Sequence, residues 1–114
     1  MADATTTLGE LRSRADRFVR EREWARYHNP KDLSIALSIE ASELLERFLW
    51  QETPRPEQLR PEERLAIAEE LADVIIYGLH LSNALDLDLS DAVLAKLDKD
   101  AAKYPVERFR GRAR

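Results

Sequence analysis

The sequence predicts an all-α protein, a four-helix bundle-like protomer in a single domain, and three observations carry that expectation. Apolar residues recur along most of the chain at helical rather than strand spacing. The three glycines and five prolines fall mostly where helices should begin or end. The links left between the helical stretches are short, which favours neighbouring helices packed as a bundle. With 114 residues, 44% of them hydrophobic and 35% charged, the chain can build one core and has no room for a second.

Thr7 with Glu10 three residues on fits a capping box and opens a first helix over about Leu8 to Arg26. Asn29-Pro30 reads as an N-cap followed by proline at the first helical position, starting a second helix that reaches about Trp50. Gln51 to Arg60, with Pro54 and Pro56, is the one substantial loop. Pro61 begins a third helix ending near Leu85. The link Asp86 to Leu89 supplies caps for a fourth, over Ser90 to Lys103, which Pro105 ends. Residues 1–7 and the basic tail 108–114 are expected to be mobile.

Composition narrows the function. Cysteine is absent, so disulfides and thiolate metal sites are excluded. The longest apolar stretch, Val74 to Leu81, is far shorter than the roughly 20 residues a membrane span needs, and Met1 to Thr7 carry no signal-like pattern. A cytoplasmic protein with no membrane partner is expected. A net charge of −4, with both signs interspersed, argues against a long nucleic acid as partner. It leaves a single nucleotide open, because a bound metal can offset the nucleotide's charge. A domain this short also favours a homo-oligomer, which enlarges the core. On the second helix Trp50 points away from the main apolar stripe, near Ile35 and Ile39, where a partner helix could cover them.

The chemistry concentrates on the second and third helices. At about 100° per residue, Leu33, Leu37 and Leu44 lie within about 60° of Glu40, which places Glu40 in the apolar stripe. Glu43 flanks it one turn on. The third helix repeats the arrangement: Ile67, Val74 and Leu81 surround Glu70, and Asp73 flanks it beside Tyr77. Unpaired carboxylates in an apolar stripe are costly and repel one another. A hard divalent cation such as Mg²⁺ relieves both effects, because it prefers oxygen ligands and binds a few carboxylates together with phosphates. The alternative is a solvated acidic face, or ion pairs with Lys or Arg. Spacing alone leaves the two readings evenly matched.

Further residues tip the balance. Glu40-x-x-Glu43, 26 intervening residues and Glu70-x-x-Asp73 resemble the signature of the all-α MazG-type nucleotide pyrophosphohydrolases. The chain is most similar to their small dCTP pyrophosphatase branch. Arg22-Glu23-Trp24, Tyr27 to Pro30, Leu44 to Glu46, Phe48 to Trp50, Glu69 to Tyr77 and Lys103-Tyr104-Pro105 extend the likeness over about residues 10–107. The resemblance implies the all-α pyrophosphohydrolase architecture and cleavage of a nucleoside triphosphate, preferably dCTP or a modified deoxycytidine triphosphate, to monophosphate and pyrophosphate. It implies Mg²⁺, with Mn²⁺ able to substitute, held by Glu40, Glu43, Glu70 and Asp73. Trp24 and Trp50 match positions that enclose the base, and Tyr77 matches a pocket position beside the metal. A tetramer is the assembly it favours over a dimer. Lys31, Lys96 and Lys103 are candidates for neutralising phosphate, since helix starts and lysines both favour anions. His28 and His80 are expected to be hydrogen-bonded structural residues.

Three positions depart from the pattern. Ile39 stands where some relatives carry a water-activating Glu, which leaves the general base to a motif carboxylate. Asp100 stands where relatives often have Asn, and Ala15 where close relatives have a pocket histidine. Two rival functions remain. A dimetal carboxylate bundle normally uses Glu-x-x-His pairs, whereas here the third residue after Glu40 and after Glu70 is acidic. A non-enzymatic helical interaction module would keep its carboxylates in solvent.

Overall fold

The computed structural model describes residues 1–50 and 55–112. Among these, six α-helices follow one another without a strand: α1 (Ala2–Thr5), α2 (Leu8–Glu21), α3 (Pro30–Glu46), α4 (Pro61–Ala84), α5 (Leu89–Lys103) and α6 (Val106–Phe109). The four long helices are those expected, and the all-α class holds. The starts follow the caps. Thr7 and Glu10 form the reciprocal capping box. Asn29 Oδ1 accepts from the Asp32 amide at 2.9 Å, with Pro30 in the first turn. Asp88 Oδ1 caps α5 through the Asp91 amide, also at 2.9 Å.

The ends needed correction. α2 stops at Glu21 rather than Arg26, and a 3-10 turn over Ala25–Tyr27 follows. Glu23 takes a left-handed backbone (φ 54°), and the Trp24 amide reaches back five residues to the Val19 carbonyl at 3.0 Å. Asp86 (φ 53°) closes α4 in the same way, with the Leu87 amide on the Ser82 carbonyl at 2.8 Å. This is the closure that glycine usually provides at helix ends. α3 ends at Glu46 instead of Trp50. Both chain ends expected to be mobile contain helix, α1 within residues 1–7 and α6 reaching Phe109. Of the expected loop, Gln51 to Pro54 lie outside the described residues, and Pro56–Gln58 form a 3-10 turn.

α4, at 24 residues roughly 36 Å long, is the central element. α3 packs along one side of it and α2 along another, while α5 rests on α2. α3 and α4 run antiparallel: Arg47 lies near Glu63 to Ile67, Glu43 near Glu70, and His28 against His80. A polar latch joins α2 to α4. Asn83 Nδ2 donates to the Arg12 carbonyl at 2.9 Å, and Arg12 Nε donates back to Asn83 Oδ1 at 3.2 Å.

The protomer is open. Only Val19, Leu33 and Leu79 are buried hydrophobic residues among those described. A compact chain of 13.2 kDa exposes about 6,400 Å², whereas this one exposes 9541 Å². Its radius of gyration is 17.1 Å, against about 13 Å for a compact domain of similar length. Ile35, Ile39, Leu45, Leu65, Leu71, Ile75, Leu94 and Leu97 all remain exposed. No described helix is long and apolar enough to cross a membrane.

Asn83→Ala should lower the unfolding free energy by about 1–2 kcal/mol, because it deletes both bonds of the latch between α2 and α4. Urea unfolding measures this, and an unchanged midpoint would show the latch to be incidental.

Candidate metal centre

The antiparallel register of α3 and α4 decides which carboxylates meet. Glu40 sits in the seam with Leu33, Leu37 and Leu44, all buried or half-buried, and Glu70 faces it from a stripe that includes Ile67, Val74 and Leu81. Glu40, Glu43 and Glu70 each offer an oxygen within 4.8 Å of the others. Asp73 is exposed and stands outside that trio, yet near enough for its charge to act on Glu40. The pattern of one carboxylate in the stripe and one on its flank therefore holds on both helices.

Glu40 is electrostatically the least comfortable of the four. Its Oε2 is buried without a hydrogen-bond partner. The adjoining Glu43 carboxyl, which favours a shared proton, holds the Glu40 carboxyl above the usual carboxylate range. Desolvation and the charges of Glu43, Asp73 and Glu70 push the same way. Glu70, by contrast, has a partner that sequence reasoning missed. Arg47, the first residue past α3, donates from Nη2 to Glu70 Oε1 at 3.2 Å. The available signal was its position seven residues after Glu40, which on a helix returns it to the face of Glu40.

Three converging carboxylates with an orphaned buried oxygen fit a hard divalent cation by donor chemistry. A purely structural ion-pair network fits less well, since Arg47 matches one carboxylate and leaves Glu40 unmatched.

The other expected site residues are not part of the converging trio. Tyr77 is half-buried on α4, its ring edge-on to His80 at 5.6 Å. Trp24 is partly exposed and packs edge-on against Phe18 at 5.8 Å, whereas Trp50 is 94% exposed. Lys31 is exposed in the first turn of α3. Lys96 is paired with Asp100 on α5 at 2.6 Å, and Lys103 lies over the Tyr104 ring at 5.3 Å. Neither α5 lysine has an ion pair with the carboxylate cluster among the described residues. The expected hydrogen bonding of the histidines needs qualification: His80 is buried with Nδ1 unpartnered, and it packs against His28 at 4.9 Å. Burial, then the neighbouring His28, holds the His80 imidazole below its ordinary range against the opposing pull of Asp16.

Glu40 gives this centre a pH signature. A folded-state pKa above the unfolded value means that the folded chain holds the proton more tightly. The associated stability is full below the ordinary carboxylate range and is lost as pH rises through the raised folded-state value. Without divalent metal, Glu40→Gln should therefore be more stable than the unaltered protein at neutral pH. The difference should vanish toward pH 4. Thermal melts in EDTA across that range test it, and a pH-independent loss of stability would mean that the carboxylate is satisfied as it stands.

The MazG-like family profile matches residues 35–114, which contain all four carboxylates. The chain is 41% identical to dCTP pyrophosphatase 1 of Bos taurus over 109 residues and 39% identical to that of Homo sapiens over 110. These alignments cover 94% and 95% of this chain but only 64% and 65% of the relatives, so the chain spans less than two-thirds of their length. A crystal structure of a pyrophosphatase from Archaeoglobus fulgidus superposes with a TM-score of 0.77 at 37% identity, covering 85% of this chain and 91% of that one. The profile match, the relatives and the shared fold lead to one assignment: this chain belongs to the MazG-like family.

Proposed function

We propose that the protein is a divalent-metal-dependent nucleoside triphosphate pyrophosphohydrolase that cleans the nucleotide pool, with dCTP or a modified deoxycytidine triphosphate as its preferred substrate. The observation that carries this reading is the Glu40, Glu43 and Glu70 cluster with its orphaned Glu40 Oε2. The relatives named as dCTP pyrophosphatases support the substrate. Glu40, Glu43, Glu70 and Asp73 would hold Mg²⁺, or Mn²⁺ in its place. When bound, the cation offsets triphosphate charge and polarises the attacked phosphorus.

The chain's own residues set the remaining terms. Water attacks the α-phosphorus, forming a P–O bond as the bond to the bridging oxygen breaks, and pyrophosphate leaves. Ile39 is apolar and 53% exposed, so it supplies no base. The proton of the attacking water goes to one of the motif carboxylates. Trp24, Trp50 and Tyr77 are assigned to the base and its surroundings, and Lys31, Lys96 and Lys103 to phosphate. In a single protomer Trp50 is nearly bare and the two α5 lysines are engaged elsewhere. A homo-oligomer, with a tetramer favoured over a dimer, would supply the missing walls and cover Ile35, Ile39 and Trp50.

Two measurements test the reading. Incubated with dCTP and Mg²⁺, the protein should release dCMP and pyrophosphate, and Glu70→Gln should lower the rate by about two orders of magnitude or more. Orthophosphate and dCDP as products would place the attack at the γ-phosphorus and reject the assignment. Light scattering at micromolar concentration should return a multiple of 13.2 kDa. A monomer would refute the oligomer.

A further inference from the structure

Arg47 stands at a junction. It lines a groove of about 500 Å³ with Glu43, Glu46 and Glu70, and an adjoining groove of about 290 Å³ whose walls include Arg60 and Glu63. Its side chain is 47% exposed while that of Glu70 is 17% exposed, so the guanidinium covers the solvent side of a mostly buried carboxylate. Arg60, across the outer groove, is held by Glu62 and Glu63. Arg47 has Glu70 as its one ion-pair partner among the described residues.

Two constraints meet at this side chain. A cation held by the cluster would draw on the Glu70 carboxylate, and Arg47 already donates to its Oε1. Four carboxylates with one divalent cation would also leave the site negative, and a triphosphate brings several more negative charges. A further positive group on the open side of the cluster, free to change partners, would offset that charge. A guanidinium matches phosphate oxygens through two parallel N–H donors, and a half-exposed ion pair is readily exchanged.

On the functional reading above, we infer that Arg47 is a switching phosphate ligand. In the metal-free protein it stands in for the cation at Glu70. As the metal binds it releases Glu70 and turns outward to the phosphates that leave as pyrophosphate. Metal binding and pyrophosphate binding are thereby linked through one side chain.

The experiment measures Mn²⁺ binding without nucleotide by calorimetry, then binding of inorganic pyrophosphate at saturating Mn²⁺, for the unaltered protein, Arg47→Gln, Arg47→Lys and Arg60→Gln. Arg47→Gln should bind Mn²⁺ up to about fivefold more tightly, having lost the competitor, and pyrophosphate about tenfold more weakly. Arg47→Lys keeps the charge without the fork, so its Mn²⁺ affinity should stay within about twofold while pyrophosphate still weakens severalfold. Arg60→Gln should move neither by more than about twofold, which separates the switch from a general loss of positive charge. The opposite signs for Arg47→Gln are decisive, because a merely structural arginine would weaken both. Unchanged pyrophosphate affinity, or Mn²⁺ binding that weakens, overturns the inference. If Arg47→Gln does not fold, Arg47→Lys decides by whether pyrophosphate weakens. An unaltered protein that binds no Mn²⁺ overturns the metal reading of the centre, and the switch with it.

Discussion

The constraint on which the rest depends is a carboxylate placed where leucines should be. Glu40 lies in the seam between α3 and α4, with one oxygen buried and unpartnered and three acidic neighbours near it. Apolar burial drives the two helices together, and the same contact forces these charges toward one another. A neutral side chain in that seam would let the helices pack without penalty. The strain at Glu40 is thus tied to the metal-free state and is relieved by the kind of ligand that the arrangement selects. Arg47 relieves only part of it, because its guanidinium reaches Glu70 and not the buried oxygen of Glu40.

The openness of the protomer belongs to the same design. Among the described residues, many large aliphatic side chains are exposed and three hydrophobic residues are buried, which leaves apolar surface that a partner could cover. Ile35 and Ile39 lie beyond Glu43 around α3, about 140° and 100° from Glu40, so the helix has a second apolar face away from the main stripe. One is satisfied by α4 and the other is not. On the oligomeric reading, the surface that completes the core could also reach the substrate, because Trp50, just past the end of α3, is uncovered as well.

What could be read from the sequence divides along physical lines. Helix starts were legible because Thr7, Asn29 and Asp88 are side-chain caps that act locally. Helix ends were not, because Glu23 and Asp86 adopt the left-handed conformation that glycine signals, and neither residue announces it. The carboxylate cluster was legible because wheel geometry is rigid from Leu33 to Glu43 on α3 and from Ile67 to Asp73 on α4. Its asymmetry was not. That Glu70 is paired while Glu40 is orphaned depends on Arg47 crossing between helices, a contact 23 residues apart in sequence. The short α1 and α6 are single turns in polar surroundings, where propensity and pattern say least.

The three-residue spacing within each pair explains how a helix seam can hold a charged centre and still pack. Residues three apart differ by about 60° around the axis, so one carboxylate enters the stripe while its partner stays at the rim. Glu43 and Asp73 are accordingly exposed, and Glu40 and Glu70 are half-buried. If both members of each pair lay in the stripe, four charges would lose their water at once. If both lay on the rim, nothing would converge. The antiparallel crossing then sets the two inner carboxylates face to face, with the buried Leu33 at the other end of the seam. A slip of one residue along α4 would rotate Glu70 by about 100° out of the seam and disperse the cluster, so the apolar packing and the site chemistry stand or fall together.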